Sequence, residues 1–251
     1  MSGHSKWSTI KHQKGATDAK RGQLFTKLTR EIIVAVREGG SNPEGNVRLR
    51  LAIQKARDNS MPMENIERAI RRGSGGVDGA TMVEMVLEGY GPGGTAILVQ
   101  ALSDNRNRTV QEVRNIFSRS GGSLVESGSV AWLFDSKGLI TIEADDLDTE
   151  MLTLLAIDAG AEDVNAEDTH IEIYTRPDEL FAVRNTLEQA KIPMVSAELC
   201  MAPKTTLKLD ENKALQTLKL LHRLEELDEV QGVFSNVNFS NAVLEKYQEQ
   251  V

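Results

Sequence analysis

Lys6, Trp7, Lys11, His12 and Lys14 fall within one stretch of nine residues, and Lys20, Arg21 and Lys27 follow soon after. Closely spaced cations neutralise phosphates, and a lone indole among them offers a face on which an unpaired base stacks. Arg71 and Arg72, just ahead of a Gly-Ser-Gly-Gly break, extend the same chemistry. A second candidate is Asp104-Asn105-Arg106-Asn107-Arg108, where Arg106 and Arg108 lead into a helical pattern whose free N–H groups also favour anions. Each has a plainer reading. Lys and Arg on short helices are commonly solvated faces, paired arginines in a last turn suit the helix dipole, and the Asp-Asn-Arg-Asn-Arg run is also a capped strand-to-helix turn.

Catalytic chemistry is harder to place. His4, His12, His170 and His222 show no H-x-x-x-H spacing, and neither a G-x-S-x-G nor a Walker pattern occurs. The Gly-Pro-Gly-Gly run at 91–94 lacks the Lys-Ser/Thr that phosphate and magnesium require, so a hairpin turn is expected there. Between residues 138 and 175 there are eleven Asp and Glu and no Lys or Arg. These acids include Asp145, Asp146, Asp148 and Glu150, but the D-x-D-x-D-G calcium loop is missing, and acids ahead of a helix serve its N-terminus. The single cysteine, Cys200, lies in an apolar run and is expected to be a buried thiol. No enzyme activity, metal or cofactor is expected.

The charge is divided along the chain. Residues 1–75 hold fifteen Lys and Arg against seven Asp and Glu, whereas the remainder holds fourteen against thirty, so a formal net charge of −8 conceals a basic segment and an acidic one. A basic segment of that strength attracts polyanions, and the acidic remainder repels them. No run approaches the roughly 20 apolar residues of a spanning helix, and the start has no leader pattern. The expected address is cytoplasmic, with no membrane partner.

The elements that must position these residues follow from periodicity. Residues 1–20 are polar and basic and read as an arm. Leu24, Leu28, Ile32 and Val36 recur at helical spacing up to Gly39 and Gly40. Pro43 is expected to open a second helix with Val47, Leu51 and Ala52 inward, and Pro62 a third with Ile66, Ala69 and Ile70, ending at Gly73. Residues 21–76 thus form a three-helix bundle. Strand signals follow at 82–88 and 95–102, then a helix carrying Val110, Val113, Ile116 and Phe117, then short strands at 123–125 and 129–134. Residues 136–203 run β-α-β-β-α-β, the ferredoxin-like order. That unit closes on itself, so the helix at 212–227 and the strand at 233–237 must return to the preceding sheet. The fold class is therefore multidomain α+β. Its divisions are an arm (1–20), a bundle (21–76), a discontinuous α+β domain (77–135 plus 204–240) and an inserted ferredoxin-like domain (136–203).

Seven motifs in order carry a family resemblance: GHSKWSTIKHQK (3–14), DAKRG (18–22), LRLAI (49–53), NIERAIRRG (65–73), EGYGPGG (88–94), DNRNRT (104–109) and GSVAWLF (128–134). The chain resembles the YebC/PmpR family through them, densely as far as residue 134 and more loosely beyond. Met63 departs from the pattern, standing where a basic residue is expected. The resemblance implies three domains, the third ferredoxin-like and inserted in the second. It also implies a cytoplasmic DNA-binding transcriptional regulator. Mitochondrial relatives are translational activators, and some bacterial ones resemble ribosome-associated factors that assist synthesis through proline runs, which makes rRNA or tRNA the alternative partner. An alternative of another class is a protein-interaction scaffold whose basic end is only solvated.

Overall fold

The structure, a computed structural model, describes residues 18–75, 82–144, 147–166 and 170–250. Helix α1, Asp18–Gly39, starts inside the stretch read as an arm, so residues 18–20 are helical. Leu28, Ile32, Ile33, Ala35 and Val36 form its buried stripe. It stops where Gly40, at φ +83°, donates to the Val36 carbonyl at 2.8 Å. Helix α2, Val47–Asp58, begins later than Pro43 because Asn46 supplies its cap. The Asn46 carboxamide oxygen accepts the Leu49 N–H at 3.0 Å, and its NH2 donates to Ala35 O and Gly40 O at 2.7 and 2.8 Å. With the start set there, Leu49, Ala52, Ile53 and Ala56 face the bundle. Val47, expected inward, is exposed, and Leu51 packs against the core of the inserted unit instead. Helix α3, Met63–Ser74, follows Pro62 and buries Ile66 and Ala69.

Strands β1, Val83–Gly91, and β2, Thr95–Ser103, pair antiparallel across the Pro92-Gly93-Gly94 turn, where both glycines have positive φ. Helix α4, Arg106–Arg119, and strand β3, Ser123–Val125, come next. In place of the strand expected at 129–134, residues 131–133 form a 3-10 turn. The cause is Glu88, buried on β1, whose carboxylate accepts the N–H groups of Gly128, Val130 and Ala131 at 2.6–2.9 Å. Those donors curl around a point acceptor and cannot serve a ladder.

The inserted unit runs β4 (Phe134–Glu143), α5 (Thr149–Asp158), β5 (Ala161–Ala166), β6 (His170–Thr175), α6 (Leu180–Gln189) and β7 (Ser196–Pro203). Its antiparallel sheet has the order β5-β6-β4-β7, which is the ferredoxin-like arrangement. The chain then returns through α7 (Glu211–Glu225), β8 (Val230–Ser235) and α8 (Asn241–Gln248). Strand β8 joins β2, giving a first sheet ordered β3-β1-β2-β8. Helix α8 lies beyond the last element read from the sequence, and its Val243, Leu244 and Tyr247 complete the core of this sheet. Between the two sheets, Ala96, Leu98 and Phe234 pack with Leu139, Tyr174 and Cys200. Burial pushes the Cys200 thiol up to about 12.

Candidate nucleic-acid interface

Helix α1 presents two faces of different use. Gln23, Lys27 and Arg30 recur at i, i+4 and i+7, and their side chains donate to the backbone carbonyls of Glu226, Glu225 and Asp228. Those carbonyls end helix α7 and begin the loop after it, where unpaired acceptors and the negative end of the dipole attract cations. Lys27 therefore fastens α1 to the end of α7. Lys20 and Arg21, about two turns before Lys27, are exposed. Lys6, Trp7, Lys11, His12 and Lys14 lie outside the described residues.

The Asp-Asn-Arg-Asn-Arg run forms the cap of α4. Asn105 accepts the Arg108 N–H at 3.1 Å, while the Ser103 hydroxyl accepts from the Asn105 N–H and the Thr109 hydroxyl, both at 2.9 Å. The Arg108 guanidinium reaches Asp104 at 3.0 Å and Glu229 at 2.9 Å. The hydrogen bond to Glu229, outweighing desolvation, holds it above its ordinary value. Arg30 approaches the same Glu229 at 3.9 Å. One buried carboxylate thus links Arg30 of α1, which the sequence did not single out, to Arg108 at the start of α4. Arg106, one position into α4, is exposed and has no ion-pair partner among the described residues.

Arg71 and Arg72 occupy the last turn of α3. Arg71 is 3.6 Å from Glu67 with both side chains in solvent, and Arg72 is exposed without an ion-pair partner among the described residues. They are not gathered with Lys20. The adjoining Gly73 packs on Ile33 and Val36, and Ile33 is thirteen residues along α1 from Lys20, about 20 Å at 1.5 Å per residue.

Two further arginines escaped the sequence reading. Arg50 and Arg57, seven apart, share one face of α2; Arg50 lies 5.0 Å from the Phe181 ring centroid and donates to Pro43 O and Glu44 O. Arg57 is exposed beside it on a shallow recess lined by Pro43, Ile53, Gln54 and Phe181. The spacing of seven is the signal that could have found them. Nearby, Asp58 meets Arg184 through two bonds of 2.8 and 2.9 Å, and Lys55 meets Glu198 at 2.8 Å, fixing α2 to the inserted unit. Among the described residues no three His, Cys, Asp or Glu are grouped to hold a metal ion, and no helix is long and apolar enough to cross a membrane.

A family model described as the TACO1/YebC protein N-terminal domain matches residues 5–76, and one described as the TACO1/YebC second and third domain matches residues 82–237. The chain is 62% identical over 250 residues to a probable transcriptional regulatory protein of Dehalococcoides mccartyi, covering 100% of both. It is 52% identical over 246 residues to a probable transcriptional regulatory protein of Geotalea uraniireducens, covering 98% of this chain and 99% of that one. The crystal structure of a conserved hypothetical protein from Aquifex aeolicus superposes with a TM-score of 0.82 at 49% identity, over 91% of this chain and 94% of the other.

Proposed function

We propose, from the premise that this chain belongs to the TACO1/YebC family, that it is a cytoplasmic DNA-binding transcriptional regulator. The observation that carries the reading is the division of charge: the basic excess is confined to residues 1–75 in a chain whose relatives are named probable transcriptional regulatory proteins. Lys20, Arg21, Arg72 and Arg106 are outward cations among the described residues, and Lys6, Lys11, His12 and Lys14 precede them in the sequence, with Trp7 as a side chain able to stack on a base. Arg71 adds a weakly paired guanidinium. Lys27 and the exposed Arg108 are engaged by Glu225 O and by Asp104 and Glu229, and they hold α1 and α4 in place. Phosphate contacts of this kind position a protein on a duplex, and the acidic remainder keeps the other end of the molecule away from it. No catalytic step or cofactor enters this reading.

The chain divides, on the same reading, into an arm, a helical bundle, a discontinuous α+β domain and the inserted ferredoxin-like domain. The test is an anisotropy titration of the full chain against a labelled DNA duplex and an RNA hairpin of equal length in one buffer. Binding of the duplex at least as tight as the hairpin is expected. A preference of about tenfold or more for RNA would overturn the transcriptional reading in favour of a translation factor.

A further inference from the structure

Helix α5 reads Thr-Glu-Met-Leu-Thr-Leu-Leu-Ala-Ile-Asp and is apolar on more than one side. Leu152 and Ala156 are buried against the second sheet, with Leu155 packed on the same core. On the opposite face Met151, Leu154 and Ile157 follow at i, i+3 and i+6, and they are 70, 67 and 46% exposed. A surface helix ordinarily turns polar residues outward, and one that is apolar around its girth is ordinarily covered. Among the described residues nothing covers the outward stripe.

Charge identifies what would cover it. Exposed Glu150 and Asp158 close the stripe at its two ends, Asp148 caps the helix by accepting the Met151 N–H at 3.0 Å, and no Lys or Arg occurs between residues 138 and 175. A second copy laid on the same face would bring carboxylates onto carboxylates, and phosphate would be repelled. A helix with apolar residues at matching spacing, flanked by Lys and Arg, satisfies both the stripe and its ends, and Met151 supplies an adaptable contact. We propose that α5 is the docking site for a basic amphipathic helix of a partner protein. The inserted acidic domain then recruits a protein while the basic end engages nucleic acid, and the docking site stands whether or not the nucleic-acid reading holds.

The experiment uses the full chain and a labelled Leu/Lys peptide with its leucines on one helical face, with a Leu/Glu peptide of the same pattern as control. Anisotropy is read at about 0.15 M salt, where a Debye length of roughly 8 Å leaves the charges at the ends of the stripe able to discriminate. The Leu/Lys peptide is expected to bind and the Leu/Glu peptide not. The variant carrying Leu154→Gln and Ile157→Gln is expected to bind about tenfold more weakly with an unchanged unfolding midpoint, since both side chains are on the surface. Absence of Leu/Lys binding, equal binding of the two peptides, or equal binding by the variant overturns the proposal. So does a wild-type dimer in sedimentation equilibrium that the variant dissociates, which would assign the face to a second copy.

Discussion

Glu88 shows how one side chain redirects a whole segment. Burial pushes its carboxyl upward, but the N–H groups of Val130, Gly128 and Ala131 more than offset that and hold it below the ordinary glutamate range. A depressed value means stability that is complete above the unfolded value of about 4.3 and is lost as pH falls through the lower folded value. Glu88→Gln removes the charge and turns an NH2 toward N–H donors, so a loss of about 2–3 kcal/mol is expected at neutral pH. In urea titrations the gap between wild type and variant should close as pH is taken below about 4. A gap unchanged down to about pH 3 would mean that the charge of Glu88 does not hold the turn. Neighbouring arginines on α4 offer a second contrast. Arg108→Glu faces Asp104 and Glu229 and should lower the melting temperature, whereas Arg106→Glu should leave it unchanged and weaken DNA binding. Equal melting losses from the two would show that Arg106 also has a structural role.

Among the elements, the close approach of α3 to α1 sets its own requirement. A Cβ on Gly73 would lie 2.8 Å from Val36 Cβ and 3.1 Å from the Ile33 carbonyl oxygen. Alanine is the better helix former by about 1 kcal/mol, but overpacking costs about 1–3 kcal/mol, and the nearest atom belongs to a stiff β-branched residue. Gly73→Ala should therefore destabilise despite its propensity, as a lowered denaturation midpoint; a raised midpoint would contradict the packing. Helices α1 and α3, the β1–β2 hairpin and the ferredoxin-like order were legible because their apolar spacing and glycine stops are local signals. What was not legible depends on distant partners. Residues 129–134 have strand-forming composition, yet Glu88, 42 and 43 residues away, takes the donors of Val130 and Ala131. Pro43 is a fair helix opener, but Asn46 is held by carbonyls on α1 and just past its end, at Ala35 and Gly40, and so sets the start of α2. Lys27 resembles any solvated cation until helix α7, some 200 residues on, ends against it.

At the scale of the molecule, the bundle is fastened to both other parts. Arg48 joins Glu31 and Glu38 of α1 to Glu84 of β1, while Asp58–Arg184 and Lys55–Glu198 tie α2 to the inserted unit. Several of these ion pairs are only half buried, so their worth lies in fixing orientation more than in stability. These pairs hold α1 and α2 against the rest of the molecule and leave Lys20, Arg72 and Arg106 exposed on α1, α3 and α4. The most direct measurement is the salt dependence of duplex binding by the full chain, compared with a variant carrying Lys20→Glu, Arg72→Glu and Arg106→Glu. A variant with Lys208→Glu and Lys219→Glu, both exposed on the acidic remainder, serves as control, its effect compared per reversed charge. Every phosphate that the variant no longer neutralises should lower the slope of log K against log salt by about 0.9, so the triple variant should bind more weakly and less steeply while the control keeps the wild-type slope. A shallow wild-type slope, or one that the triple and control variants alter equally, would contradict the assignment of the N-terminal basic surface to nucleic acid.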